Sequence, residues 1–163
     1  MAIEANAYKP EVAIRPVTMD DLDFVYRCEQ DCRPGIDTVE AESRPTRFML
    51  WRFLTEYRHS LRGQGQLLFV ITNGDAQVGT LEVTDYDPKT RTASVGIYIS
   101  PRHRRHGYAR KALSEAARIL GNSAKLRTLT ATVAHENTAS RILFATAGFE
   151  NTAEGVWILP LSE

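Results

Sequence analysis

Apolar and polar positions along this chain follow two periods, and the places where one gives way to the other mark out its elements. Val12 to Val17 alternates as a strand. Thr18 then stands as an N-cap with Asp21 three residues on, and Leu22, Phe24, Val25 and Cys28 carry a helix to near Cys32. Arg33-Pro34-Gly35 breaks that helix, and residues 33–44 read as a polar loop. Ser43 is placed to cap a second helix with Pro45 in its first turn. Phe48, Met49, Trp51, Phe53 and Tyr57 give this helix its apolar positions, and Arg62-Gly63-Gln64-Gly65 reads as a loop.

From there the pattern is that of a sheet. Gln66 to Thr72 is apolar and β-rich, Asn73-Gly74 is a hairpin turn, and Val78 to Tyr86 is the return strand. Asp87-Pro88-Lys89-Thr90 turns again into a strand over Ala93 to Ile99. An amphipathic helix follows, with Gly121-Asn122 as its C-cap. Leu126 to Val133 alternates as a strand, and Asn137 opens a last helix that Gly148 stops. Residues 149–162 read as a hairpin containing Trp157. Periodicity alone therefore predicts a mixed α/β sheet protein, read as one domain over residues 1–163.

Within that order, Val95 to Leu120 joins a β-branched strand, a short basic loop with a glycine, and a helix. A loop opening onto a helix N-terminus suits phosphate. The first-turn N–H groups have no partner within the helix, and the helix dipole puts positive charge there. Arg102, Arg104, Arg105, Arg110 and Lys111 crowd the same place, and Gly107 leaves room for a ligand to approach the backbone.

Arg104-Arg105-His106-Gly107-Tyr108-Ala109 resembles the Arg/Gln-x-x-Gly-x-Gly/Ala motif of GNAT N-acetyltransferases. A second block, Asn137-Thr138-Ala139-Ser140-Arg141-Ile142-Leu143-Phe144 through Ala147-Gly148-Phe149, is similar to that family's Asn-x-x-Ser-x-x-Leu-Tyr-x-x-x-Gly-Phe helix. The likeness runs from Ile14 to Trp157 and is nearest the branch of ribosomal-protein N-terminal and spermidine acetyltransferases. It implies the GNAT fold: a twisted, mostly antiparallel sheet of six to seven strands with four helices. One splayed strand pair would hold acetyl-CoA. The loop from Arg104 through Arg110 would hold the pyrophosphate, Ile97, Tyr98 and Ile99 the pantetheine arm, and Asn137 and Phe144 would line the same cofactor. No metal is expected.

Acetyl transfer to an amine needs a polarised carbonyl, a neutral amine and a leaving thiolate, all held together. By analogy with the family, a backbone N–H at Tyr98 or Ile99 polarises the carbonyl. An alkylamine with pKa near ~10 must lose a proton first. Glu82 and Asp85 are the candidate bases, with Asp87 in the next turn. An odd spacing sends Glu82 and Asp85 to opposite faces of an unbulged strand, so only one faces the cleft; the resemblance makes Glu82 the first choice, because the nearest relatives tend to carry an acid near there. The family's usual general acid is a tyrosine where this chain has Phe144. Tyr98, Tyr108, His135 or water would take that role, and a thiol pKa near ~8.5 makes unassisted departure tolerable. Tyr8, Trp51, Tyr57 and Trp157 could line an acceptor pocket, though their spacing also suits core packing.

Composition narrows the rest. Of 163 residues, 43% are hydrophobic and 25% charged, which is ordinary for a soluble domain. No apolar run reaches the roughly 20 residues of a membrane span, and the N-terminus lacks the features of a signal peptide, so the expected location is the cytoplasm. Cys28 and Cys32 read as ordinary helix thiols, because no further cysteine completes a zinc set. Residues 20–42 carry eight acids against Arg27 and Arg33, and the segment 29–42, between the first two helices, favours a cationic acceptor; residues 43–163 carry 16 basic and 10 acidic side chains, which suits a phosphorylated cofactor. The expected partner is a small primary amine such as a polyamine, with a peptide N-terminus as the alternative and a homodimer compatible with either. A non-catalytic acetyl-CoA sensor is the reading of another class. Nucleic acid is set aside, because the basic cluster is one short loop.

Overall fold

The computed structural model describes residues 11–31 and 44–162. Strand β1 (Val12–Pro16) leads through a 3-10 turn (Met19–Asp21) into helix α1 (Leu22–Asp31). Helix α2 (Arg47–Glu56) and the single turn α3 (Leu61–Gln64) precede β2 (Leu67–Asn73), β3 (Ala76–Asp87) and β4 (Thr92–Ile99). A 3-10 turn (Pro101–His103) leads into α4 (Tyr108–Asn122), followed by β5 (Thr128–Thr132), α5 (Thr138–Thr146), β6 (Glu150–Ala153) and β7 (Val156–Pro160). The seven strands form one sheet in the order β1-β2-β3-β4-β5-β7-β6, antiparallel at every pairing except β4 with β5. This is the mixed α+β architecture the sequence predicts.

Both faces of the sheet are covered, which is why β2 is apolar at successive positions rather than at alternate ones. Val70 and Leu68 pack under α1 and α2 with Val25, Cys28, Leu50 and Leu54. Phe69 and Ile71 face the other way, into the core that Leu113, Ala116 and Leu120 of α4 close. The two faces hold different chemistry. Leu81, Val83 and Val95 belong to the α4 side. Glu82 pairs with Leu68 and Gly96, so it lies on the α1–α2 side, as does Tyr98.

Under that second layer sits one buried acid. Asp21 is 1% exposed. Its carboxylate accepts two hydrogen bonds from Arg15 (2.7 and 2.8 Å), one from the Thr18 backbone N–H (2.8 Å) and one from Gln77 (2.6 Å). Thr18 thus caps the chain's entry to α1, and Asp21 also locks β1 to β3. Burial pushes this carboxyl up, but the hydrogen bonds outweigh burial and hold its pKa at about 2.

Several expected boundaries move. Helix α2 is capped by Thr46, whose side chain accepts from Met49 N–H at 3.2 Å, and Pro45 precedes the cap instead of standing in the first turn. Ser43, Cys32, Arg33-Pro34-Gly35, Tyr8 and the acids Asp37, Glu40 and Glu42 lie outside the described residues. The segment Arg62 to Gly65 is not a loop: α3 occupies most of it, and Gly65 closes the turn at φ 72°. Its addition makes five helices among the described residues rather than four. The first hairpin turns at Gly74-Asp75, since Asn73 still pairs with Ala76. Gly121 and Asn122 continue α4, and Ser123 is its C-cap. Phe48 (67% exposed), Met49 and Trp51 are not core residues; Leu50 and Leu54 hold α2 down, while Phe48 and Trp51 stack on each other in the open. Among the described residues no helix is long and apolar enough to cross a membrane.

Candidate active site

The sheet opens where β4 and β5 part. They pair only at Thr92–Thr128, Ala93–Leu129 and Ser94–Thr130. At the fork, the Ser94 and Thr130 hydroxyls bond at 3.1 Å, and Thr130 also donates to the Ala93 carbonyl at 3.4 Å. Beyond it β4 keeps β3 on one side as far as Ile99, while its other edge has no strand beside Ile97, Tyr98 and Ile99. Backbone groups on such an edge can pair with an extended, amide-bearing ligand.

The edge points to the basic loop. Arg105 (φ 64°) and Gly107 (φ 78°) both take left-handed backbone conformations, and Gly107 is the N-cap of α4. A Cβ at Gly107 would meet nothing within 4 Å, so the space over the first turn is open. By helix geometry the N–H groups of that turn face it without an intrahelical partner. Arg102, Arg105, Arg110 and Lys111 are exposed and form no ion pair among the described residues. Open space, donors and unpaired cations fit a pyrophosphate.

Other loop side chains are used as bracing. Arg104 turns back: its Nε donates to the Ile99 carbonyl at 2.8 Å, and its guanidinium lies 5.4 Å from the Tyr98 ring centre. The His106 ring stacks on Tyr108 at 5.4 Å, and its Nδ1 donates to the His103 carbonyl at 3.2 Å. His103 Nδ1 bonds the Ser100 hydroxyl at 2.7 Å; burial, with Arg102 and His106 nearby, pushes its pKa down and favours the neutral ring. Tyr108 Oη accepts from Asn73 Nδ2 at 3.1 Å, and Ala109 and Ile97 pack into the α4 core.

Toward the α1–α2 face, Glu82 has two acids within electrostatic reach, Asp85 and Glu29. Glu82 stands across the ladder from Gly96. The expectation that Asp85 points away from it rested on an unbulged strand. The pairing of β3 with β4 shifts between Thr84 and Asp87, and Asp85 takes φ 53°, so β3 is bulged and the alternation breaks there. Glu82 is reached by water but crowded by protein; that burial, and then the neighbouring charge of Asp85, raise its pKa. Glu29 of α1 joins them, its pKa raised first by burial and then by Glu82. The sequence counts Glu29 among the acids of residues 20–42 and at the head of the acidic segment 29–42, without assigning it to the site. A sharper signal was present: it falls seven residues along from Leu22 and four from Val25 on the buried stripe of α1, where an acid is out of place.

The third wall is α5. Asn137 Oδ1 accepts from Ser140 N–H at 3.1 Å and is the helix N-cap. Phe144 is buried, edge-on to Phe149 at 5.0 Å, and serves packing. His135 is exposed, and its carbonyl accepts from Arg141 at 3.5 Å. Trp157 is core, Tyr57 half-buried, and Trp51 exposed. Among the described residues no group of three His, Cys, Asp or Glu side chains is arranged to hold a metal ion.

The sequence model described as "Acetyltransferase (GNAT) domain" matches residues 11–150. Among curated proteins, none matches the sequence. Solved structures do. Spermidine N-acetyltransferase from Vibrio cholerae, in complex with CoA and spermine, superposes with a TM-score of 0.79 at 17% identity over 93% of this chain and 96% of that one. A dodecameric structure of the Vibrio cholerae enzyme gives 0.75 at 16% identity over 93% and 95%. Mycobacterium smegmatis RimJ, in complex with CoA-disulfide, gives 0.74 at 22% identity over 91% and 81%.

Proposed function

The chain belongs to the GNAT acetyltransferase family, and from that premise we propose that it transfers acetyl from acetyl-CoA to a primary amine of a small cationic acceptor, such as a polyamine. The observation that supports this acceptor is that Glu82, across the ladder from Gly96 of β4, feels the charge of Asp85 and in turn acts on Glu29. A cation lowers the energy of carboxylates that repel one another, and a carboxylate of raised pKa is a better base toward an ammonium.

In this reading acetyl-CoA supplies an activated acyl carbon and a thiolate leaving group. Arg105, His106, Gly107, Tyr108, Ala109 and Arg110 form the pyrophosphate cradle through first-turn N–H groups and the outward cations. Arg104 belongs to the cradle as its brace. The edge at Ile97, Tyr98 and Ile99 pairs with the pantetheine amides, and an N–H at Tyr98 or Ile99 donates to the acetyl oxygen as charge builds on it. Glu82, near Asp85, takes the proton of the ammonium; the freed nitrogen bonds the acyl carbon, the carbon–sulfur bond breaks, and the nitrogen's second proton passes through water to the departing thiolate, which leaves amide and CoA thiol. Asn137 borders the same channel, and Phe144 supports it by packing. Residues 1–163 act as one catalytic domain in the cytoplasm.

Two further parts of the proposal lean on similar structures. The likeness of the chain's motifs to ribosomal-protein N-terminal acetyltransferases supports a protein N-terminus as second acceptor reading, and RimJ lies nearly as close in fold as the spermidine enzymes. The dodecameric neighbour supports self-association, a homodimer at the least. Thiol release from acetyl-CoA across polyamines, amino sugars, amino acids and N-terminal peptides tests the acceptor. Release with polyamines supports the proposal, and release with peptides alone replaces it by the second reading. Tight acetyl-CoA binding with no release on any amine would make the domain a sensor.

A further inference from the structure

The end of α4 remote from the basic loop carries a concavity that acetyl transfer does not use. A cavity of about 270 Å³ lies where Ile119, Leu120, Ser123 and Ala124 face the start of β2 at Leu67 and Phe69. An adjoining hollow of about 520 Å³ shares the walls Leu61, Arg62 and Tyr86 and adds Arg91. At 1.5 Å rise per residue, Ile119 stands roughly 16 Å along α4 from Tyr108, so the groove and the loop are separate places.

Its polar lining has one sign. Arg62 and Arg91 face the groove, no Asp or Glu lines it, and neither arginine makes an ion pair among the described residues. His59 adds a neutral donor. Burial pushes its pKa down. The Tyr57 hydroxyl already accepts from Leu68 N–H at 2.8 Å, so its own proton is the one left for His59 Nδ1 at 2.9 Å. That leaves the Nε2–H of His59 to give. The hydroxyls of Ser123 and Tyr86 can donate too. Beneath the donors the floor is apolar: Leu67, Phe69 and Leu120.

Two strained backbone positions set these side chains. Arg91 takes φ 56° because its carbonyl serves two donors, Arg127 N–H at 2.8 Å and Thr128 N–H at 3.4 Å. The bulge in β3 separates neighbours: Asp85 stays beside Glu82, and Tyr86 becomes a wall of the groove. Converging donors over an apolar floor, without an opposing acid, match one ligand chemistry. We propose that this groove binds a small organic carboxylate with an aromatic or branched aliphatic body, its carboxylate held by Arg62 and Arg91 and its body over Leu67, Phe69 and Leu120. At about 270 Å³ the smaller cavity lies just under the usual size of a ligand pocket, and the adjoining hollow, where Arg91 stands, extends it into that range. The inference stands whether or not the acceptor is a polyamine.

The test is an amide-resolved NMR titration of the full chain with phenylacetate, with its neutral analogue phenylacetamide and with inorganic phosphate. Phenylacetate should shift the amides of Tyr86, Arg91, Ile119 and Ser123 saturably, without moving the Gly107 region. Phenylacetamide and phosphate should each bind at least about tenfold more weakly, since one lacks the charge and the other the apolar body. Arg62→Gln, on an exposed single-turn helix, should weaken phenylacetate by a similar factor with the fold intact; Arg91→Gln should do the same. The proposal is overturned by an absence of saturable shifts, by shifts confined to the Arg104–Arg110 loop, by equal binding of the amide or phosphate, or by indifference to Arg62→Gln.

Discussion

Glu82 lies against Gly96: a Cβ at position 96 would come within 3.0 Å of Glu82 Oε1 and 3.2 Å of its Cγ. The glycine gives the carboxylate its place on the sheet face. Gly96→Ala meets only a flexible side chain, so the melting temperature should hold. The carboxylate must move by a few tenths of an ångström, and turnover should fall roughly tenfold, given how steeply rate depends on placement. Steady-state kinetics beside a thermal melt checks this; unchanged turnover would mean that the position of Glu82 is not what the reaction uses.

Asp85 should set part of the acid limb of the pH–rate profile. Burial and the Asp85 charge both raise the Glu82 pKa, so the limb of kcat/KM should lie above the ordinary carboxylate range. Removing the negative neighbour favours ionised Glu82, so Asp85→Asn should move the limb to lower pH without abolishing it. A shift to higher pH, or none, would separate Asp85 from the base.

Gly107 takes φ 78° with open space around its missing Cβ. Gly107→Val then costs stability mainly through the left-handed backbone, about 1–2 kcal/mol. Its larger effect should be on acetyl-CoA, whose affinity by calorimetry should drop more than tenfold, because the branched side chain would fill the space over the first-turn N–H groups. Affinity equal to the parent would remove the loop from the cofactor site.

Asp21 should make folding acid-sensitive. Its pKa falls from 3.8 in the unfolded chain to about 2 in the folded one. A depressed carboxylate stabilises the fold fully above the higher value and loses that contribution as pH falls toward the lower one, here about 2 kcal/mol between roughly pH 4 and 2. Asp21→Asn should remove this slope and also leave Arg15 without its charge partner. Urea unfolding at stepped pH reads both.

Much of the cofactor side was legible in the chain. The run from Val95 to Leu120 prescribes strand, basic loop and helix through local patterns, and each formed as read. The side proposed for the acceptor was less so, because its carboxylates are placed by departures from pattern. Asp85 joins Glu82 only because β3 bulges, and nothing between Thr84 and Asp87 announces a left-handed aspartate. Arg104 matches a phosphate motif, yet its Nε finds the Ile99 carbonyl, a choice of tertiary geometry. Phe48 and Trp51 have helical spacing, but Leu50 and Leu54 win the buried stripe because α2 meets α1 on that side. Glu29 was visible as an acid on an apolar stripe, and its meaning came only from Glu82 across the gap.

The most direct test of the account is Glu82→Gln, a change that keeps the side chain's size and removes its basicity. Steady-state thiol release with the best amine acceptor would be measured beside calorimetry with acetyl-CoA alone. The account predicts a loss of turnover of about a hundredfold or more with acetyl-CoA affinity unchanged. Turnover close to the parent would contradict it, because the proton of the ammonium would then be leaving by a route that does not involve Glu82.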